Sequence, residues 1–430
     1  MQGPPPALFL AGLLAGAVAC TSSPAMRAAE RGDRLGLRSA VKQRERTTSL
    51  SNREAASLAL LVANREVRGA TGLDALERVH NAWACAHELD DALAERMRTH
   101  DDAGAEAALA RVDGRGLAVG PLRRYLGDPQ PRWRAVGTRA LVRAEDHQAR
   151  LLALIDPDPQ VRRQAARAAR DAADAADFEA LAEAARLDPE PVVRAEAVRA
   201  IAILPLPRED AANALRDLWT AGDLDLREDI ALAWAGPQVW GAGGREALRV
   251  VVASDHGPGA VEAAASVLRR RDAEGDVGVA ALAQLVRAIE QGAAATRQQA
   301  IAQAPLNRRE VRMAVNAAAE DDDDEVRVAA LSRLAEEKLA GTVEKLETFA
   351  HPGSPSARRA RFALASAGDH RVQAWIEKDL ASERPFERLS AATALASLDA
   401  SARAAALLAD DDPLVRVRAA CTLLIAARTR

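Results

Sequence analysis

Aromatic side chains are scarce: 430 residues carry six Trp, five Phe and one Tyr. Cores anchored on large rings are thereby excluded, because rings supply the greatest buried area per residue. Lysine is scarcer still within the basic set, four of 58, at Lys42, Lys338, Lys345 and Lys378. Cysteine occurs three times, too seldom for a disulfide framework. A surplus of positive charge is missing as well. The 58 basic residues face 62 acidic ones, for a net charge of −4, which excludes a general nucleic-acid binder with its concentrated positive field. What is present is Ala, Leu and Val. An apolar fraction of 49% built from small residues packs where helices approach closely, and this favours an all-α chain. The bias toward Arg suits bidentate contacts with carboxylates or phosphates, although acidic residues offset it along most of the chain.

Residues Ala7 to Ala19 form an uninterrupted small-and-apolar run, and Cys20 follows directly. The run is too short to span a bilayer and has the length of the apolar region of a secretory signal peptide. Ala17-Val18-Ala19-Cys20 resembles the lipobox of bacterial lipoproteins. That resemblance implies removal of residues 1–19 as a signal peptide and lipidation of Cys20. Two departures are Ala17, where Leu is usual, and a leader without Lys or Arg. Thr21 stands where an inner-membrane signal would have Asp, so the resemblance implies a cell-envelope address, an outer-membrane lipoprotein facing the periplasm. A secreted or a cytosolic protein is the alternative. Cys85 and Cys421 then remain, far apart along an extended array, and both are expected as small buried hydrophobes without a disulfide. Arg27, Arg31, Arg34 and Arg38 recur at helical spacing. Residues 20–46 therefore read as a lipid anchor and basic tether, whose stripe either rests on anionic headgroups or is a solvated helix face.

From about residue 119 the chain repeats itself, and this is its most informative property. The clearest units begin DPQPRWRAVG at Asp128, DPDPQVRRQA at Asp156, DPEPVVRAEA at Asp188, DDDEVRVAAL at Asp322 and DDDPLVRVRA at Asp410. Setting the Arg of the Val-Arg pair to zero aligns Arg134, Arg162, Arg194, Arg227, Ala260, Arg297, Arg327, Ala357, Arg388 and Arg416. Three residues on, nearly all are Gly or Ala; seven on, all are apolar. Positions 0, 3 and 7 share one side of a helix. A small residue mid-stripe lets two helices approach, and a larger one fills the groove. Asp before Pro predicts an N-cap and first helical residue at Asp128-Pro129, Asp156-Pro157, Asp188-Pro189 and Asp412-Pro413. Each unit of about 30 residues predicts two helices, and only a stack of such units buries the apolar stripe.

Asp-Pro-x-x-Val-Arg-x-x-Ala-x-x-x-Leu resembles the HEAT repeat, especially the short bacterial variety known from phycobilin lyases. The resemblance covers roughly 119–430 and implies a right-handed α-solenoid of about ten or more two-helix repeats. It also implies that the zero-column arginines are structural, forming an Arg and Asp ladder between neighbouring units. Residues 47–118 are helical in pattern but out of register, and read as an amino-terminal cap with degenerate repeats. At the other end Leu423, Leu424 and Ile425 lie in a last helix with no polar capping unit behind it, so either that face is only partly apolar or another chain covers it.

No hydrolase elbow, P-loop or dinucleotide fingerprint occurs. His80 and His87, with Glu88 and Asp91 nearby, lack a third metal ligand at firm spacing, so no metal and no cofactor are expected. The acidic run Glu320–Glu325 falls where the repeat needs a capped turn. Trp240, in a Gly-rich interruption, is a candidate aromatic contact. Position 5 of the Val-Arg helix is Arg139, Arg167 and Arg199 in three successive units, with Arg163 and Arg170 beside them. These five form a candidate partner-binding ridge; Glu196 and Asp171 dilute it. The expected function is a non-catalytic, envelope-associated scaffold binding a protein partner, with the membrane reached through the N-terminal lipid. An enzyme or accessory subunit of the HEAT-like lyase type is the rival, distinguished by a converged set of His and carboxylates.

Overall fold

The computed structural model describes residues 23–429, apart from 70–71, 117, 206–207, 221–225, 255–257, 272–274 and 340. Among the described residues every regular element is a helix or helical turn. The chain divides into two compact units, one made of residues 1–92 with 377–430 and the other of residues 93–376.

The second unit is a stack of helix pairs. Its Val-Arg helices run Pro131–Thr138, Pro159–Ala172, Pro191–Ile201, Arg227–Ala235, Pro258–Arg269, Ala294–Gln303, Asp324–Glu336 and Ala357–Ser366, and each packs on the next. Position 3 allows this approach: Ala165, Ala197, Ala263, Ala300, Ala330 and Ala360 are all fully buried. At Gly137 the approach is closer still, since a Cβ there would lie 2.4 Å from the backbone nitrogen of Leu126. Position 7 supplies bulk, from Leu141 and Ile201 to Trp234 and Leu364, each with no exposed surface. Such layers need few rings, which accounts for the small aromatic count.

The helices begin two residues later than the Asp-Pro pairs predict. Asp156 accepts from the backbone of Asp158 at 2.9 Å, an Asx turn, and Asp158 then caps the helix that starts at Pro159. Asp128 and Asp188 do the same for Gln130 and Glu190, so the second proline of each Asp-Pro-x-Pro run opens the helix. Asp412 alone of the four behaves as predicted: it accepts from Leu414, and Pro413 is the first helical residue.

The first unit joins the two ends of the chain. Helix Asn52–Gly69 packs along the last helix, Pro413–Arg428, burying Leu58, Ala59 and Val62 on one side and Val415, Ala419 and Leu423 on the other. Of the two readings for the last helix, neither holds: its apolar face is covered, and by this chain's own amino-terminal helix. Asn52 fixes the register: its amide donates to the carbonyl of Asp399 and accepts from Ser401 Oγ and the Ala402 amide. The segment read as a tether is also folded. Helices Pro24–Arg31 and Arg34–Thr47 bury Ala25, Ala28, Leu37 and Val41. A left-handed Gly32 (φ 69°) breaks the run between them, so the four arginines of the basic stripe do not share one helix.

Cys85 and Cys421 form a disulfide within this unit, their Cα atoms 5.2 Å apart. This overturns the reading of both as unpaired thiols. They are buried as expected, but the packing of the chain ends brings them together.

Candidate interaction surfaces

The zero-column arginines are structural locks. Arg162 uses one guanidinium nitrogen on the carbonyls of Asp156 and Pro157, which close its own turn. The rest of the fork engages both carboxylate oxygens of Asp188 in the next unit, at 2.7 and 3.0 Å. Arg134 repeats the pattern on Asp128, Pro129 and Asp156, and Arg388 on Ser382, Glu383 and Asp410. Arg297 pairs with Asp321, Arg194 holds the carbonyls of Asp188 and Pro189, and Arg327 holds that of Asp321. The bonds to Asp156 and Asp188 stabilise the charged arginines, holding both guanidinium groups above their ordinary pKa. Arg227 departs from the pattern, its guanidinium lying over the Trp219 ring at 5.1 Å. At the carboxyl end Arg416 holds the carbonyls of Asp410 and Asp411 and donates to Glu66 at 2.6 Å.

The five arginines read as a basic ridge do come together, but on a lattice of alternating charge. Arg139 sits between Asp113 (3.2 Å) and Asp171 (2.7 Å) and is only 7% exposed. Arg167 lies 2.7 Å from Asp113, off hydrogen-bond angle but within charge contact. Arg170 reaches Glu196 at 2.5 Å, and Arg199 binds Asp229 at 2.7 Å and Glu196 at 3.3 Å. Arg163 is part-buried, with its Nε enclosed and unbonded. Four carboxylates thus meet four of the five guanidinium groups, which removes the concentrated positive field that a ridge for an anionic partner requires. The signal was in the sequence at Glu196 and Asp229, two residues past the zero mark; Asp113 lies outside the repeat and could not be placed by register.

Trp240 is 9% exposed and lies under the Arg270 guanidinium, 4.4 Å from the ring centroid. The expectation of an exposed aromatic contact is corrected: the irregular turn Trp240–Gly244 folds the ring inward. Cys20 and residues 1–19, read from the sequence as a signal peptide, lie outside the described residues. The acidic run is a capped turn, with Asp323 accepting from Glu325 and Val326 at the start of helix Asp324–Glu336.

Among the described residues, His147, Asp174 and Asp177 bring three metal-ligand atom types close together. Arg150, fully buried, already occupies the cationic place there. It donates to Asp177 at 2.6 Å and Asp174 at 2.9 Å, and also binds the carbonyls of Leu141 and Arg143. His147 Nδ1 lies 2.7 Å from the other oxygen of Asp177. The carboxylates meet a guanidinium in place of an ion.

Large apolar side chains remain exposed on neighbouring helices: Leu152 (69%) on His147–Leu154, Ile155 (77%) just after it and Leu187 (61%) closing Phe178–Leu187. These two helices pack side by side.

The repeat geometry defines an all-α solenoid. Residues 148–235 match the family model of HEAT repeats. No curated protein sequence matches the chain. Among solved structures, an engineered protein is similar at 21% identity and a TM-score of 0.27, over 82% of this chain and 98% of that one. UNC-45 from Drosophila melanogaster is similar at 14% identity and a TM-score of 0.32, over 94% of this chain and 76% of that one. The karyopherin Kap121p, bound to the extreme C-terminus of the phosphatase Cdc14p, is similar at 11% identity and a TM-score of 0.32; the match spans 88% of this chain and 49% of that one.

Proposed function

We propose that the protein is a non-catalytic scaffold or adaptor of the cell envelope that binds another macromolecule through its solenoid surface. The observation that carries this reading is the exposed apolar group Leu152, Ile155 and Leu187 on two adjoining helices of the second unit. Large apolar side chains left exposed on adjoining helices mark contact surfaces, whereas the arginines of the neighbouring Val-Arg helices, Arg139, Arg167 and Arg170, are engaged by carboxylates. The disulfide between Cys85 and Cys421 supports an oxidising compartment, in keeping with a signal peptide and acylation at Cys20 in an outer-membrane lipoprotein facing the periplasm.

A photo-crosslinking residue at Leu152 or Leu187, introduced in the native cell, is expected to yield a discrete macromolecular adduct; the same label at Arg384, on the first unit, is not. Equal labelling from all three positions would overturn the assignment of this face. Acyl labelling of wild type against Cys20→Ala tests the anchor separately.

A further inference from the structure

The described amino-terminal helices carry charge out of proportion to the chain. Residues 24–69 hold ten basic and five acidic side chains, while the whole chain has a net charge of −4. Three of their exposed arginines meet at the elbow where Gly32 turns the chain. Arg31 and Arg34 flank the elbow and are exposed, and Arg65 reaches it from helix Asn52–Gly69, donating to the Glu30 carbonyl at 3.2 Å. An ideal Cβ on Gly32 would collide with the Arg65 guanidinium, so glycine serves both the left-handed turn and the close approach of that side chain.

Leu35 stands beside these cations with 70% of its surface exposed. It borders a cavity of about 420 Å³ that Leu37, Val62 and Leu408 also line, with Arg34 and Arg65 at the same opening. Of the carboxylates nearby, Asp33 accepts from the Gly36 amide and Glu66 is held by Arg416 and Arg78, while Glu30 is exposed beside Arg31 and Arg34 is 3.4 Å from the open Asp411. Apolar floor, protruding leucine and surrounding guanidinium groups match the layered chemistry of a bilayer interface, with acyl methylenes below and phosphates above.

We propose that the Gly32 elbow docks on an anionic phospholipid surface, Leu35 entering the interface while Arg31, Arg34 and Arg65 contact lipid phosphates. The proposal rests on the envelope reading, and the covalent chain favours it. Ser23, which caps the first helix, is three residues from Cys20, so an acyl group on Cys20 would hold the elbow's helix within about 11 Å of the membrane.

The test is sedimentation of the full chain carrying Cys20→Ser with phosphatidylglycerol/phosphatidylcholine vesicles or with phosphatidylcholine vesicles. The apolar leader contains no charged residue and contributes alike to both, so the difference between them reads the face. Preferential binding to the anionic vesicles is expected, weakening as salt rises. Arg31→Gln and Arg65→Gln should each reduce it about fivefold, Leu35→Ser should reduce binding to the anionic vesicles, and Arg384→Gln, on an exposed side chain elsewhere in the unit, should leave it unchanged. Unaltered thermal unfolding checks that the variants fold. Equal binding to both vesicles, or indifference to Leu35→Ser and both arginine changes, overturns the proposal. So does displacement by inorganic phosphate at constant ionic strength, which would mark a soluble-anion site. Acyl labelling separates this from the anchor: vesicle preference without acylation retains the face and loses the anchor, and acylation without preference does the reverse.

Discussion

Glu66 accepts a hydrogen bond from Arg416 at 2.6 Å, in the place that the next unit's aspartate holds for Arg134, Arg162, Arg297 and Arg388. An amino-terminal helix thus supplies, to the last repeat, the carboxylate that a following repeat would have supplied. Glu66→Ala should lower the stability of the first unit by about 1–3 kcal/mol, since a part-buried guanidinium loses its counter-charge. Hydrogen exchange should quicken in helix Pro413–Arg428. Unchanged protection there would mean that packing alone holds the helix.

The covalent link at the same junction should matter more. Breaking Cys85–Cys421, by reduction or by Cys85→Ser with Cys421→Ser, is expected to cost about 2–4 kcal/mol. Denaturant unfolding with and without reductant measures this, and thiol titration of the native Cys20→Ser chain should find no reactive cysteine. Two free thiols in protein isolated from its own compartment would refute the pairing.

Arg162→Ala should destabilise the second unit by about 2–4 kcal/mol, because it removes a bidentate ion pair to the nearly buried Asp188 and frees two turn carbonyls. Arg162→Lys should recover only part of the loss, as an ammonium cannot span both oxygens and the carbonyls together. The urea midpoints should therefore fall in the order wild type, Lys, Ala.

Arg150 and Asp177 are both fully buried, so one cannot be removed without stranding the other. Arg150→Met is expected to cost about 3–5 kcal/mol. Arg150→Met combined with Asp177→Leu should cost less than the sum of the two single changes, a coupling that a double-mutant cycle reads directly.

Acid should weaken the Asp146 turn in a defined direction. The Arg123 guanidinium, bonded to both oxygens at 2.7 Å, holds the Asp146 carboxyl below its ordinary pKa, against a smaller opposing effect of burial. A depressed folded-state pKa gives stability that is complete above the unfolded value, near 4, and is lost as pH falls from there through the folded value. Arg123→Gln should flatten the stability profile below about pH 4. An unchanged slope would remove Asp146 from the acid response.

The repeat was legible because its physics is local. Ala165, Ile201 and Arg162 answer to neighbours one helix or one unit away, and such contacts recur at a fixed interval. The meeting of Cys85 with Cys421 has no periodic trace, since it depends on where the chain returns after nearly its whole length. The ridge was misread for a related reason. Counting Arg139, Arg167 and Arg199 down one column ignored carboxylates arriving from other columns, and Asp113 belongs to no column. Trp240 was open in the sequence because a run of glycines fixes no direction for the ring.

The pairing of Asn52–Gly69 with Pro413–Arg428 also sets a temporal order. During synthesis about 340 residues separate helix Asn52–Gly69 from the segment that covers it, a wait of roughly 17–70 s at ordinary elongation rates. Throughout that interval helix Asn52–Gly69 has Pro24–Arg31 and Gly72–Asn81 among its native neighbours but lacks Pro413–Arg428, while the intervening repeats can already stack on one another. A segment made early is therefore among the last to be completed, and its open face must be shielded until Pro413–Arg428 emerges.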